Sequence, residues 1–415
     1  MQALVDRYNR SQQKVRVRLE SQGTNYEEIQ KSFNNGVRSK QLPAVLVVDD
    51  TFTQSMADSG AILPAQSCIK ADSYDTSDLV KVALDYYTID RVLWPASANI
   101  GNVLLYYNRN HFRRAGLDPD KPPATLAEVR EVAQKIKAAG VTERPFVHEL
   151  SSWKTEFLLT GDHSPVVDND NGRGPGTTGK ATLAGNQQAS ELFGWFEKMS
   201  ADGLMNAIPY APGQINQYLA MAQQKGSMVI ESSSAATSIE AFLGGKLDTS
   251  SVAAGSLDGT DLSQLDIGVG VMPGMRAPGR TQMGGGAWYM TRTNPPEVQA
   301  AAWDFMKFLN GTEAQVDLLV GGSALPFRAS AASTPRAQEF FSASLSGRWL
   351  KLANDQVSQI DAAFPGPLIG PYDQFRAELQ KATDGLLFKG MTPAAALDGA
   401  QANIDKALAK YNQDQ

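Results

Sequence analysis

AVLVVD, residues 44–49, is a nearly unbroken apolar run closed by an acid, and its reading decides the fold class. A strand that is apolar on both faces belongs in a parallel sheet covered by helices on both sides, the arrangement of α/β proteins. The surrounding chain agrees. Leu4, Val5 and Tyr8 fall at helical spacing directly after Met1, VRVRLES (15–21) alternates apolar and charged side chains as a strand does, and the pattern predicts a helix over 26–37. Downstream, strands are predicted at 92–95 and 103–107, a helix around 111–115, and a longer helix over 126–138 closed by Gly140 just past its end. Residues 168–185, crowded with Gly, Asn, Asp and Thr, read as a hairpin or surface loop. Helices at 188–201 and 215–225, a strand at 227–230, a loop-like stretch over 239–266, and strands at 268–272 and 287–291 follow. The remainder is helical in pattern, at 296–309, 312–319, 336–345, 372–388 and 393–411.

A chain of 415 residues exceeds the size at which one hydrophobic core keeps growing, so two lobes of about 150–200 residues are expected. With 42% hydrophobic and 20% charged residues, the composition is that of a folded globular chain. Lys plus Arg number 38 against 44 Asp plus Glu, a net charge of −6, and no basic cluster persists; a nucleic-acid partner is therefore not expected. The one cysteine, Cys68, has no internal disulfide partner, and His111, His148 and His163 lie far apart, so neither a metal site nor a thiol–imidazole pair is expected. No apolar run approaches the roughly 20 residues that cross a bilayer. The start lacks the charged and apolar regions of a signal peptide.

Motifs for catalysis are weak. GPGTTGK (174–180) nearly matches a phosphate-binding loop, but Ala181 stands where the metal-binding hydroxyl belongs and no apolar strand leads into it, so a surface turn is expected. DNDNG (168–172) places Gly172 at the third ligand position of a calcium loop, and no Glu closes that loop. Asp49 and Asp50 are adjacent and point to opposite faces of a strand, so they cannot share one substrate. No enzyme, cofactor or metal is expected. What stands out is aromatic residues beside Gly, Ser, Asn or Pro: Trp94, Trp153, Tyr210, Trp288, Tyr289 and Tyr372. Solute sites combine aromatic walls with a few fixed polar groups and favour strand ends and domain junctions.

Along nearly its whole length the sequence carries further blocks: GTNYEEI (23–29), SGAILP (59–64), LLYYNRNHFRRAGLDPDKPPATL (104–126), GVGVMPG (268–274), GGGAWYM (284–290), ALPFR (324–328), YDQFR (372–376) and GMTPAAALD (390–398). In these it resembles the extracellular solute-binding proteins of ABC importers, most closely those for glycerol-3-phosphate and glycerophosphodiesters. The resemblance implies a two-lobed, type II periplasmic-binding-protein-like α/β fold. Each lobe is expected to be a mostly parallel sheet flanked by helices, with the ligand cleft between lobes. Lobe 1 is expected to hold 1–108 and 265–311, lobe 2 to hold 109–264 and 312–415, with the chain crossing near Asn108, Leu265 and Gly311. The family's leader and a first strand are expected to lie before Met1.

On the family pattern, Tyr26 is the candidate aromatic contact and Asp49 the acceptor of ligand hydroxyls. Trp153 forms a wall suited to a glycerol or sugar backbone or a choline head. Ser232 and Ser233 are small polar donors, and Gly285 and Gly286 bring backbone close to the ligand. Arg376 grips a phosphate, and Asn99, Trp288 and Tyr372 complete the implied ligand-binding set. The plainer reading of Arg376 is a salt bridge, and of Asp49 a helix cap. Two departures weaken the phosphate reading: Ala324 and Ala235 stand where relatives carry hydroxyl side chains. A glycerophosphodiester or glycerol-3-phosphate-like solute therefore stands beside an alternative, an oligosaccharide or polyol. The resemblance further implies a monomer, outside the cytoplasmic membrane or lipid-anchored to its outer face, that delivers the small polar solute to ABC permease transmembrane subunits.

Overall fold

Among the residues described by the computed structural model, 1–23, 25–211, 214–246, 260–279 and 282–415, the apolar run at 44–49 forms strand β1 (Val45–Asp49). The other strands are β2 (Ile62–Leu63), β3 (Thr88–Ile89), β4 (Val92–Leu93), β5 (Ser97–Gly101), β6 (Val103–Asn108), β7 (Phe146–Glu149), β8 (Met205–Ile208), β9 (Met228–Ser232), β10 (Ile267–Val271) and β11 (Gly284–Thr291). The chain divides into two units, one of Met1–Asn102, Met283–Asn354 and Asp361–Gly370, the other of Val103–Gln282, Asp355–Ile360 and Pro371–Gln415.

In the first unit β11 is the centre of the sheet. β1 pairs with it on one edge, β5 and β2 on the other, all antiparallel. One face carries Trp288 and Met290 into a core with Leu4, Val5 and Tyr8 of helix Gln2–Ser11 and Trp303, Phe305, Met306 and Leu309 of helix Pro296–Leu309. Those helices exist because their apolar residues recur every three or four positions, which gives each one buried stripe. On the other face the Tyr289 hydroxyl donates to Thr53 Oγ1 at 2.8 Å. β3 and β4 form a hairpin whose two turn residues, Asp90 and Arg91, both have positive φ, the backbone that matches strand twist in a two-residue turn.

The second unit has a five-stranded sheet in the order β10-β6-β9-β7-β8. β6 is buried along its whole length. Helix Leu126–Ala138 starts with a capping box, in which Thr125 takes the Glu128 N–H and the Glu128 carboxylate takes that of Thr125, and Gly140 follows it at φ +66°. Helices Tyr372–Lys389 and Pro393–Gln413 form a hairpin turned at Gly390, φ +67°, with Pro393 at the first helical position.

Three expectations are corrected. The sheets are not mostly parallel: the first is antiparallel at every described pairing, and in the second only β7–β8 and β7–β9 are parallel. An unbroken apolar run reports burial on two faces and is silent about direction. Residues 15–21 form no strand, because the backbone groups of Val15 and Val17 bond to side chains instead. Val15 exchanges hydrogen bonds with the Gln12 amide at 2.6 and 2.7 Å, and Val17 with the Asn9 amide at 2.8 and 2.9 Å. The boundaries between units also move. β6 and β10 pair with each other and β6 with β9, which places both in the second unit. Residues 312–354 belong to the first, where Ala314 enters the Trp288 core and Leu325 N–H donates to Ile100 O at 2.8 Å. The chain thus crosses at 102/103, 282/283, 354/355, 360/361 and 370/371 rather than near Asn108, Leu265 and Gly311.

Helices Thr53–Asp58, Ala65–Asp72, Lys81–Tyr87, Ser152–Thr160 and Leu345–Val357 were not foreseen. Helix Ala236–Leu243 also enters the stretch read as loop, of which residues 247–259 lie outside the described residues. The 168–185 segment opens on a short helical turn, Asp168–Asn171, with positive φ at Asn169, Asp170 and Asn171, and continues as a loop closed by an isolated Val167–Ala181 bridge. Asp168 Oδ1 accepts the backbone N–H groups of Gly179 and Lys180 at 2.9 and 3.2 Å. A carboxylate therefore already occupies amides that a phosphate-binding loop would offer its ligand. Among the described residues no cluster of His, Cys, Asp or Glu could hold a metal ion.

Candidate functional site

In the first unit the candidate residues gather at one end of the sheet. Asp49, Gly286 and Asn99 are direct neighbours across β1, β11 and β5, so a carboxylate and an amide flank a bare glycine. Tyr26 opens helix Tyr26–Ser39, whose start is set by the Asn25 side chain accepting the Glu28 N–H at 2.9 Å. Its hydroxyl lies over Gly286, where a Cβ would collide with it. Gly285 has φ +121°, and a Cβ there would collide with the Asn99 carbonyl. Both glycines are thus required by close approach, one to a side chain and one to backbone.

The electrostatics of this corner are acidic. Burial, then the charges of Asp49 and Asp50, push the Tyr26 phenol well above its ordinary range and keep it a neutral donor. Asp50 is buried and accepts from Tyr86 Oη at 2.7 Å. Asp49 does cap the following turn, since its Oδ1 accepts from Thr51 Oγ1 at 2.5 Å and Thr51 N at 3.2 Å. Asn99 Oδ1 is a buried acceptor with no hydrogen-bond partner. Trp288, expected to contact solute, instead packs in the core beside Leu4 and Met306, because two residues along β11 from Gly286 the sheet is already covered by helices.

The second unit holds the rest. Trp153 is partly exposed in the first turn of helix Ser152–Thr160, edge-on to Phe157. The next residue, Lys154, is 1% exposed; its Nζ lies 2.8 Å from Glu149 Oε2, 3.2 Å from Glu231 Oε2 and 5.2 Å from the centre of the Trp153 ring. Glu231 also accepts from Gln217 Nε2 at 3.2 Å and from the Ser232 N–H at 2.8 Å. Ser232 Oγ in turn caps the 3-10 turn Ser233–Ala235, in which Ser233 is fully buried. Burial and the Glu231 charge raise the Tyr218 and Tyr106 phenols far above the usual range. A cleft of about 440 Å³ within this unit is walled by Tyr106, Tyr218, Leu219, Phe242 and Leu243, with Glu231 and Ser232 at its polar edge.

Arg376 lies on helix Tyr372–Lys389, 18% exposed, with Nε 2.9 Å from Glu156 Oε2 and its guanidinium 5.3 Å from the centre of the Tyr372 ring. Glu156 is fully buried, and its other oxygen accepts from Tyr372 Oη at 2.7 Å and Gln282 Nε2 at 2.5 Å. Tyr372 is therefore a buried partner of Glu156. The salt bridge named as the plainer reading of Arg376 is present.

Sequence reasoning did not single out Glu149, Lys154, Glu156 or Glu231. A signal existed: WKTEFLLT (153–160) sets a lysine and a glutamate among residues that are all uncharged, and buried charges must be paired. A buried contact of His111 Nδ1 with Ser227 Oγ at 2.8 Å was also unforeseen; Nε2 meets Gln224 Oε1 at 2.7 Å. Neither His111 nor Ser227 reaches solvent, so this pair ties helix Arg109–Arg114 to the start of β9.

Comparison with known proteins gives a consistent result. The family model described as bacterial extracellular solute-binding protein matches residues 3–341. The sn-glycerol-3-phosphate-binding periplasmic protein UgpB of Brucella abortus (strain 2308) is 27% identical over 343 residues, covering 80% of this chain and 72% of the relative. Among solved structures, UgpB from Mycobacterium tuberculosis in complex with glycerophosphocholine superposes with a TM-score of 0.77 at 16% identity, covering 100% of this chain and 95% of that one. The sugar-binding protein MalE from Xanthomonas citri does so equally, at 0.77 and 16% identity over 99% and 95%. The fold is that of the two-lobed solute-binding proteins.

Proposed function

Since the chain belongs to the family of bacterial extracellular solute-binding proteins and is the substrate-binding subunit of an ABC importer, we propose that its solute is a glycerophosphodiester or glycerol-3-phosphate-like molecule. The observation that carries this reading is Arg376, a partly exposed guanidinium held in place by the buried Glu156 and lying over Tyr372. A guanidinium fixed before the ligand arrives loses little freedom on pairing with a phosphate. Trp153, Ser232 and Arg376 from the second unit, with Tyr26, Asp49, Asn99, Gly285 and Gly286 from the first, are the proposed contacts. The relative's name, glycerol-3-phosphate-binding, supports the choice.

A second reading, a neutral oligosaccharide or polyol, is favoured by a specific observation: Glu156 already matches the Arg376 charge, and Ala324 and Ala235 offer no hydroxyl. Thermal shift against glycerophosphocholine, glycerol-3-phosphate and maltose separates the two. A solute at a hundred times its Kd stabilises the protein by about 2.7 kcal/mol. Arg376→Ala is expected to abolish the shift from the phosphate compounds. A shift from maltose alone, unchanged in Arg376→Ala, replaces the first reading by the second.

The protein acts as a binder rather than a catalyst on this reading; the contact of His111 with Ser227 is shut away from solvent. We place it outside the cytoplasmic membrane, where the relatives are periplasmic, as a monomer that docks on the permease subunits and, with a net charge of −6, not on nucleic acid. No helix among the described residues is long and apolar enough to cross a membrane.

A further inference from the structure

We propose that Lys154 is a positioning residue, whose buried ammonium sets both the Trp153 ring and the Ser232 turn in the arrangement that meets the solute. This rests on the reading of Trp153 and Ser232 as solute contacts. Lys154 itself is 1% exposed and cannot reach a solute. Its three neighbours belong to three elements: Glu149 at the end of β7, Glu231 near the end of β9, and the Trp153 ring in its own helical turn. The Glu231 carboxylate passes the constraint on, because one oxygen meets Lys154 and Gln217 while the other accepts the Ser232 N–H. Ser232 then caps the turn that follows.

Packing does not call for such a group. Removing a lysine and two carboxylates from water is costly, and well-packed apolar side chains of similar volume usually hold a fold as well or better. What an ammonium supplies that an apolar chain does not is directional fixing of several partners at once. Here those partners are the wall and the serine turn of the proposed site. The charge also polarises the Trp153 ring face, since Nζ stands 5.2 Å from its centre.

The test uses the full chain labelled with 5-fluorotryptophan, in which the resonance lost in Trp153→Phe identifies that ring. Two variants are compared with the parent: Lys154→Met, and Glu149→Gln/Lys154→Met/Glu231→Gln, which removes the three charges together and leaves no carboxylate unpaired. The combined variant is expected to stay folded with the resonances of the remaining tryptophans unmoved. Its Trp153 resonance shifts or broadens, and affinity for whichever of glycerophosphocholine or maltose binds the parent falls about tenfold or more. A folded combined variant with the parent's Trp153 resonance and affinity overturns the proposal. If neither compound binds the parent, the choice of solute above fails, while the Trp153 resonance still decides the positioning role. If the combined variant does not fold, Lys154→Arg, which keeps the charge but changes its geometry, is judged by the same two readouts.

Discussion

At the scale of single residues, the two glycines of β11 have separate jobs. Gly285 combines a positive φ with backbone contact at Asn99, whereas the atoms nearest a Gly286 Cβ are side-chain atoms of Tyr26 and Val47. Gly285→Ala is therefore expected to destabilise the protein more than Gly286→Ala, which displaces Tyr26 and costs roughly 1–3 kcal/mol by overpacking; urea midpoints of the two variants check the order. His148 makes a pH prediction. Its ring is buried between Phe146 and Phe196 with both nitrogens unbonded, and burial first, then the Lys154 charge, lowers its pKa from 6.5 to about 3. The unfolded chain takes the proton near pH 6.5 and the folded protein does not. This residue's contribution is thus complete above 6.5 and shrinks as pH falls, by about 1.4 kcal/mol per unit until about pH 3. His148→Phe should lose about 2 kcal/mol less stability than the parent between pH 7 and pH 5; equal losses would refute the assignment.

At the scale of elements, helix Leu126–Ala138 has both its limits written locally, in the Thr125–Glu128 capping box and Gly140. Thr125→Ala should lower stability by about 0.5–2 kcal/mol without changing ligand response, read from denaturant midpoints with and without solute. Helices of this kind were legible in the sequence because their signals are periodic and their caps are neighbours in the chain. Helix Ser152–Thr160 was not, since every residue from Lys154 to Thr160 is buried and no polar face remains to show a period. The alternation at 15–21 misled for the opposite reason. Its period is that of a strand, but the backbone partners turned out to be the Asn9 and Gln12 amides. The same limit applied to the buried charges: the Glu231 and Glu156 carboxylates that pair with Lys154 and Arg376 come from positions 77 and 220 residues away.

At the scale of the whole molecule, neither unit is a continuous piece of chain. A fragment ending at Gln282 lacks β11, to which β1, β2 and β5 all pair. It should therefore leave the first unit's residues protease-sensitive, while the complete chain resists cleavage there; limited proteolysis of fragment and full chain makes the comparison. Sequence alone determined the α/β class, the two-part organisation and most helices, because burial pattern and caps are local properties. Strand direction, the points where the chain passes between units, and the partners of the buried charges were decided only by tertiary structure. A hydrogen bond between β6 and β10, or an ion pair between Glu156 and Arg376, joins residues that no short-range pattern relates.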